Sequence, residues 1–206
     1  MVEPSDDATQ LSAWRQGDEA AGRALFDRYF DPLYRFFRNK APSDVDDLVQ
    51  DTFLSLMKNT VPFRGESTFR TYVFRVARSR LYDRARGWAK REVIDISTTS
   101  MADIRPTPST LIGDRQEEKL VTMALRTLPI EQQTLLSLFY FEELSGSELA
   151  EVMEIPEGTV RSRLRLAREA LKAQVEALAT ERAIAESTAN RLDVWLTELR
   201  GTLAKR

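Results

Sequence analysis

Residues 145–172 read SGSELAEVMEIPEGTVRSRLRLAREALK. Ser145 or Ser147 is placed to cap a short helix that carries Leu149, Ala150, Val152 and Met153. Pro156 pushes Ile155 out of the helical region, so the chain turns there. A second helix then starts near Glu157, with Val160 and Leu164 facing inward. Ala150 is small where the two helices must cross. Thr159, Arg161, Ser162, Arg163 and Arg165 lie in the first turns of the second helix, with Arg168 just beyond. In a helix-turn-helix this is the part that enters a major groove. The glycine usual in such a turn is absent, and Glu154 stands near its place. A purely structural helical hairpin is the competing reading, and the arginines weigh against it. One that reaches a guanine edge gives about 1–3 kcal/mol of discrimination, whereas one on a phosphate gives salt-dependent affinity without sequence choice. The sequence assigns neither role to a particular arginine.

The same helical period runs through the rest of the 206 residues, and no strand alternation persists, so the expected fold class is all-α. The length suits two small domains. Hydrophobic residues at 42% and charged residues at 30% describe a chain that folds in water. Neither cysteine nor histidine occurs, which excludes disulfides, thiolate nucleophiles, Ser-His and Cys-His pairs and most transition-metal sites. Catalysis by carboxylates, lysine or bound magnesium survives this cut, but no glycine-rich phosphate loop is present to support it, so the expectation is no cofactor and no enzyme. The acidic start MVEPSDDATQ is unlike a secretory signal, and no apolar run reaches the roughly 20 residues that span a bilayer. The expectation is a cytoplasmic protein with no membrane insertion.

Net charge is only −2, but it is unevenly spread. Between positions 64 and 91, Arg64, Arg70, Arg75, Arg78, Arg80, Arg84, Arg86, Lys90 and Arg91 face only Glu66 and Asp83. Asp44, Asp46, Asp47 and Asp51 form an acidic block. One surface can therefore bind a polyanion and another a basic protein.

A first helix is expected over Asp7–Gln16, stopped by Gly17, and a second begins at Asp18. The second carries Leu25, Phe26, Tyr29, Leu33, Phe36 and Phe37 inward, with Pro32 bending or splitting it. Ser43 is the expected cap of a third helix, buried along Val45, Leu48, Val49, Thr52, Phe53 and Leu56. Its other face shows Asp47, Gln50, Asp51, Leu54 and Lys58, an acidic surface with an apolar residue in its middle. Residues 59–66 read as a loop, and Ser67 as the cap of a long helix to about Arg91. That helix turns Phe69, Tyr72, Val73, Val76, Ala77 and Leu81 to the core, with arginines interleaved with Phe74 and Tyr82 around them. These elements make a first domain within residues 1–91. A polar, proline-bearing flexible linker follows over 92–114, then a second domain over 115–177 and a helical extension over 178–206.

Three blocks in this order, DVDDLVQDTF (44–53), FRGESTFRTYVFRVARSRLYDRAR (63–86) and the stretch 128–171 that contains the helix-turn-helix, resemble the extracytoplasmic-function sigma factors of bacterial RNA polymerase. The resemblance implies a subunit that binds core RNA polymerase, directs it to promoter DNA and helps open the duplex, with no chemistry of its own. Asp47, Gln50 and Asp51 stand where the family docks on the polymerase clamp helices. Phe63 and Arg64, with Arg75, Arg78 and Ser79, are similar to the pocket that holds the opened minus-ten element. Thr159, Arg161, Ser162, Arg163, Arg165 and Arg168 match the helix that reads the minus-thirty-five element. Tyr72 falls with the core stripe. An anti-sigma factor is a further candidate partner.

The chain runs on for about thirty residues past Ala177, and there Leu192, Trp195, Leu196, Leu199 and Leu203 keep helical spacing. The expectation is a helix that covers part of the DNA-reading surface, against the plainer alternative of a core extension. Two other functions stand beside the first: a helix-turn-helix regulator independent of polymerase, and a helical adaptor that has lost DNA binding.

Overall fold

Asp18 starts the helix on which the first domain is built. Its carboxylate accepts hydrogen bonds from the N–H groups of Ala20 and Ala21, after Gly17 has turned the chain at a φ of +103°. The computed structural model describes residues 4–58, 68–88, 94–104, 115–179 and 182–204. Among these residues the order is α1 (Pro4–Arg15), α2 (Glu19–Arg38), α3 (Val45–Met57), α4 (Phe69–Trp88), α5 (Met101–Ile104), α6 (Gln116–Thr127), α7 (Ile130–Tyr140), α8 (Gly146–Met153), α9 (Glu157–Leu178), α10 (Arg182–Asn190) and α11 (Leu192–Ala204). The fold is all-α, as the period predicts.

In the first domain, α1 to α4 close around Leu25, Leu33, Phe36, Leu48, Phe53, Tyr72 and Val76. Three local expectations are corrected. Phe26 is 43% exposed rather than inward, because the stripe on α2 is completed without it by Leu25, Tyr29, Leu33, Phe36 and Phe37. Pro32 does not split α2, since buried side chains on both sides of it hold the helix together despite the missing N–H. Asp44, not Ser43, precedes α3, and its side chain makes no capping bond but faces Arg84 at 3.4 Å. Ser67 and the loop lie outside the described residues. Thr68 performs the capping, its hydroxyl accepting from the Thr71 N–H at 3.1 Å.

In the second domain the helix-turn-helix forms where the sequence places it. Ser145 and Glu148 make a reciprocal capping box at the start of α8. Glu154 ends α8 in the left-handed region, at φ 58° and ψ 42°, which is the conformation a glycine would supply. The Ile155 N–H closes the turn onto the Ala150 carbonyl at 3.1 Å. Leu120, Val121, Leu125, Ala167, Leu171 and Val175 pack α6 against α9.

The two domains are in contact. The described part of the linker, 94–104, lies along the second domain: the Ile130 N–H bonds Thr99 and the Glu131 N–H bonds Ile96. Met101 is fully buried. α4 packs against α8, and the apolar core of the first domain continues through Leu138, Leu149, Val152 and Met153 of the second. α10 lies on α9, and α11 lies on α6, α7 and α2, burying Leu192, Trp195, Leu196, Leu199 and Leu203.

Candidate nucleic-acid interface

On α9, Val160 and Ala167 point into the core, which leaves Arg161, Ser162, Arg165 and Arg168 exposed and Thr159 and Arg163 half-buried. Each of these arginines is already engaged by a carboxylate: Arg161 by Glu157 at 2.6 Å, Arg165 by Glu169 at 2.7 Å, Arg168 by Asp193 at 2.6 Å, and Arg163 by Glu131. The Ser162 hydroxyl donates to the Thr159 carbonyl at 2.9 Å. Exposed ion pairs contribute about 0–1 kcal/mol each, so exchanging a carboxylate for a phosphate meets little resistance. Beside this face lies a groove of about 590 Å³, walled by Arg161, Leu164 and Arg165 on one side and by Asn190, Leu192 and Asp193 on the other.

α4 is amphipathic in two directions. One side feeds the core of the first domain. The other carries Arg70, Phe74, Arg78 and Tyr82 towards the second domain, where Phe74 is fully buried and Tyr82 nearly so. Arg78 pairs with Glu154 of the turn, and Arg70 bonds the Glu142 carbonyl. Arg75 sits over the Tyr72 ring at 5.7 Å, and Tyr72 is a core residue as its spacing indicates. Ser79 is half-buried. Phe63 and Arg64 lie outside the described residues. The structure therefore places Arg75, Arg78 and Ser79 on one helix, and it places Arg78 at the contact between domains.

Asp47 and Gln50 are exposed on α3, with Asp51 half-buried beside them. An unforeseen cation crosses this patch: Arg84 of α4 lies 2.9 Å from Asp51, 3.4 Å from Asp44 and 3.9 Å from Asp47. One guanidinium among three carboxylates, with Asp46 close by, leaves the patch negative. Leu54 and Met57 are exposed at its edge, and Phe26 joins Trp14, Phe30, Phe53 and Leu54 in an apolar groove alongside.

The contact between the domains contains polar groups that sequence reasoning missed. Glu142 is completely buried and accepts from Nε and Nη2 of Arg35 at 3.1 and 3.0 Å. Burial pushes its carboxyl above the ordinary range, against the pull of Arg35 and Arg70. The Lys40 ammonium donates to the Phe36 carbonyl at 2.6 Å and to the Ser137 hydroxyl at 2.9 Å. Burial lowers its pKa to about 7, with Glu142 opposing. Arg126 of α6 donates to the Asn39 carbonyl at 2.9 Å. Among the described residues, the side-chain amides of Asn39 and Gln133 are buried without a hydrogen-bond partner. An unpaired buried polar group costs about 1–3 kcal/mol. The contact thus combines a continuous apolar core with buried polar groups that cost stability.

The arrangement defines a class of protein: a two-module DNA-binding factor with a helix-turn-helix in one module, and an arginine-rich helix and an acidic face in the other. Residues 25–94 match the family described as Sigma-70 region 2, and residues 118–171 match Sigma-70, region 4. The chain is 29% identical over 190 residues to the ECF RNA polymerase sigma-E factor of Haemophilus influenzae, an alignment that covers 86% of this chain and 100% of that one. It is likewise 29% identical over 189 residues to the sigma-E factor of Escherichia coli K12, covering 86% and 98%. The solved structure of CnrH in complex with the cytosolic domain of CnrY shares the fold, with a TM-score of 0.59 at 21% identity over 84% of this chain and 99% of that one. The chain belongs to the extracytoplasmic-function sigma factors, which direct RNA polymerase to promoters.

Proposed function

We propose the following division of labour within that function. Asp47, Gln50 and Asp51 dock the chain on core RNA polymerase, which must present a basic surface to them. Residues 1–91, through Arg75, Arg78 and Ser79 on α4 and through Phe63 and Arg64 ahead of it in sequence, hold the opened minus-ten element. Unstacked bases are stabilised by aromatic faces at about 1–3 kcal/mol each and by a cationic groove along the backbone. Residues 115–177 read the minus-thirty-five duplex through Thr159, Arg161, Ser162, Arg163, Arg165 and Arg168, and 92–114 joins the two modules. The chain binds and positions, and the polymerase performs the phosphodiester chemistry. It works in the cytoplasm where the polymerase is. No described helix is long and apolar enough to cross a membrane. The complex that CnrH forms with the cytosolic domain of CnrY supports a protein partner, an anti-sigma factor, for this chain as well.

The observation that carries this reading is the row of exposed arginines, Arg161, Arg165 and Arg168, on a helix that follows a capped helix and a tight turn. Geometry adds a requirement. Elements about 25 base pairs apart are separated by roughly 85 Å of duplex at about 3.4 Å per base pair. Modules that touch through α4 and α8 cannot reach both, so the domains separate before a promoter is bound. A footprint on open complexes formed with core polymerase tests the assignment. Arg161→Ala with Arg165→Ala should lose upstream protection while strand opening downstream persists once the complex has formed. Unchanged upstream protection would refute the role given to α9.

A further inference from the structure

We propose that α10 and α11 form a clasp that holds the two modules closed, with Asp193 standing against Arg168 in the place of a DNA phosphate; this rests on reading α9 as the duplex-reading helix. Residues 172–206 lie beyond both matched families, so the family's promoter-reading parts do not account for this segment. Its apolar side makes it adhere. Trp195, Leu196, Leu199 and Leu203 are each 4% exposed or less, within the second module's core.

The same helix reaches the first module. The Arg38 guanidinium of α2 donates to the carbonyls of Thr202 and Leu203 at 3.3 and 3.2 Å. These carbonyls sit at the C-terminal, negative end of the α11 dipole, where a cation is favoured. On the second module, Arg115 pairs with Glu198 at 3.0 Å and Arg200 with Glu143 at 2.5 Å. A single segment thus ties α2 to α6, α7 and α9.

Asp193 links this tie to DNA. One of its oxygens takes Arg168 at 2.6 Å and the other takes the Tyr140 hydroxyl. A carboxylate on a guanidinium offers the charge and acceptor geometry that a phosphate offers, so a duplex reaching Arg168 must displace Asp193. Asn190 and Leu192 form the opposite wall of the groove along α9 and restrict the approach. The direct contact between modules joins apolar side chains, but it also strips Lys40 of water and leaves the amides of Asn39 and Gln133 unpaired, which weakens it. The clasp supplies what that contact lacks.

The test uses the full chain. It has no cysteine, so Arg23→Cys and Glu176→Cys, both exposed, accept a donor and an acceptor dye as unique sites across the two modules. Leu199→Asp with Leu203→Asp puts carboxylates into the apolar seam. Arg38→Ala with Asp193→Ala leaves that seam intact and guards against misfolding in the first pair, with helicity followed by circular dichroism. Both pairs should lengthen the dye separation. Both should also tighten binding of a fluorescein-labelled mixed-sequence DNA duplex by about tenfold, as expected when about a tenth of the chains are open at rest. An unchanged separation in the Arg38/Asp193 pair overturns the clasp. A longer separation with unchanged duplex affinity overturns its inhibitory role. An opened chain whose duplex binding is indifferent to Arg161→Ala shows instead that the reading of α9 has failed, and the place given to Asp193 falls with it.

Discussion

Raising the pH from about 6.5 to about 8.5 should close the protein by about 25-fold in the ratio of closed to open forms, or about 2 kcal/mol. The source is Lys40, whose ammonium is held by Phe36 and by Ser137 of the other module. Burial lowers its pKa from 10.5 to about 7. Once the modules part, the ammonium regains water and its ordinary value. The closed form therefore binds fewer protons than the open form between those two values, and closure strengthens as pH rises through the interval. Below about 7 both forms carry the charge, and this contribution stops changing. Glu142 is the other titratable group facing Lys40. Its raised pKa acts in the opposite sense, favouring closure at acid pH and fading as pH rises through its closed-state value. The chain has no histidine and no cysteine to obscure the interval. Transfer between dyes on the two modules, read across the pH range, measures the ratio. Lys40→Met keeps the length of the side chain without the proton, and its profile should be flat over the upper half of the range. A wild-type profile that matches the Lys40→Met profile would refute the role assigned to this lysine.

Other outcomes follow from the same contacts. Asp47→Arg with Asp51→Arg should abolish co-elution with core polymerase while circular dichroism stays unchanged, since Asp47 is exposed and Asp51 only half-buried, outside the apolar stripe of α3; retained co-elution contradicts the docking assignment. Gly22→Ala would place a methyl group on the Trp14 ring where α1 crosses α2, and chemical denaturation should show a loss of about 1–3 kcal/mol. Glu154→Gly, measured alongside Arg78→Ala to remove the ion pair, should raise the stability of the second module by about 1 kcal/mol, because Glu154 occupies the left-handed region that glycine adopts without strain. A loss of stability there would contradict the described turn.

Much of the fold is legible in local pattern. The stripe Val45, Leu48, Val49, Thr52, Phe53 and Leu56 is buried as its spacing indicates, Asp18 caps α2, and the turn at Ile155 and Pro156 falls where proline requires it. The five apolar residues of the extension are buried too, although spacing alone could not say against what. Long-range relations leave no such trace. Nothing in the run from Asn39 to Ala41 marks Lys40 as buried, because its burial depends on a helix nearly a hundred positions away. The pairing of Arg84 with Asp44 and Asp51, of Arg35 with Glu142, and of Arg168 with Asp193 each joins two stretches whose separate charge patterns look solvated. The helical positions of these side chains were therefore readable residue by residue, while the partners that packing brings to them were not. The arginines of α9 and α4 are visible in the sequence, but the carboxylates that occupy them are brought there only by the packing of the two modules and the extension. Phe26 failed for a related reason, since the period admits it to the inward stripe while the neighbouring helices leave it uncovered.

Run-off transcription with purified core polymerase measures the central claim most directly. Fragmented DNA from the source genome would serve as template, with start sites mapped in the presence and absence of this chain. The account predicts transcripts that begin at defined positions only when the chain is present and that vanish with Asp47→Arg and Asp51→Arg. Transcription that starts at the same sites without the chain, or at no defined site with it, would contradict the account.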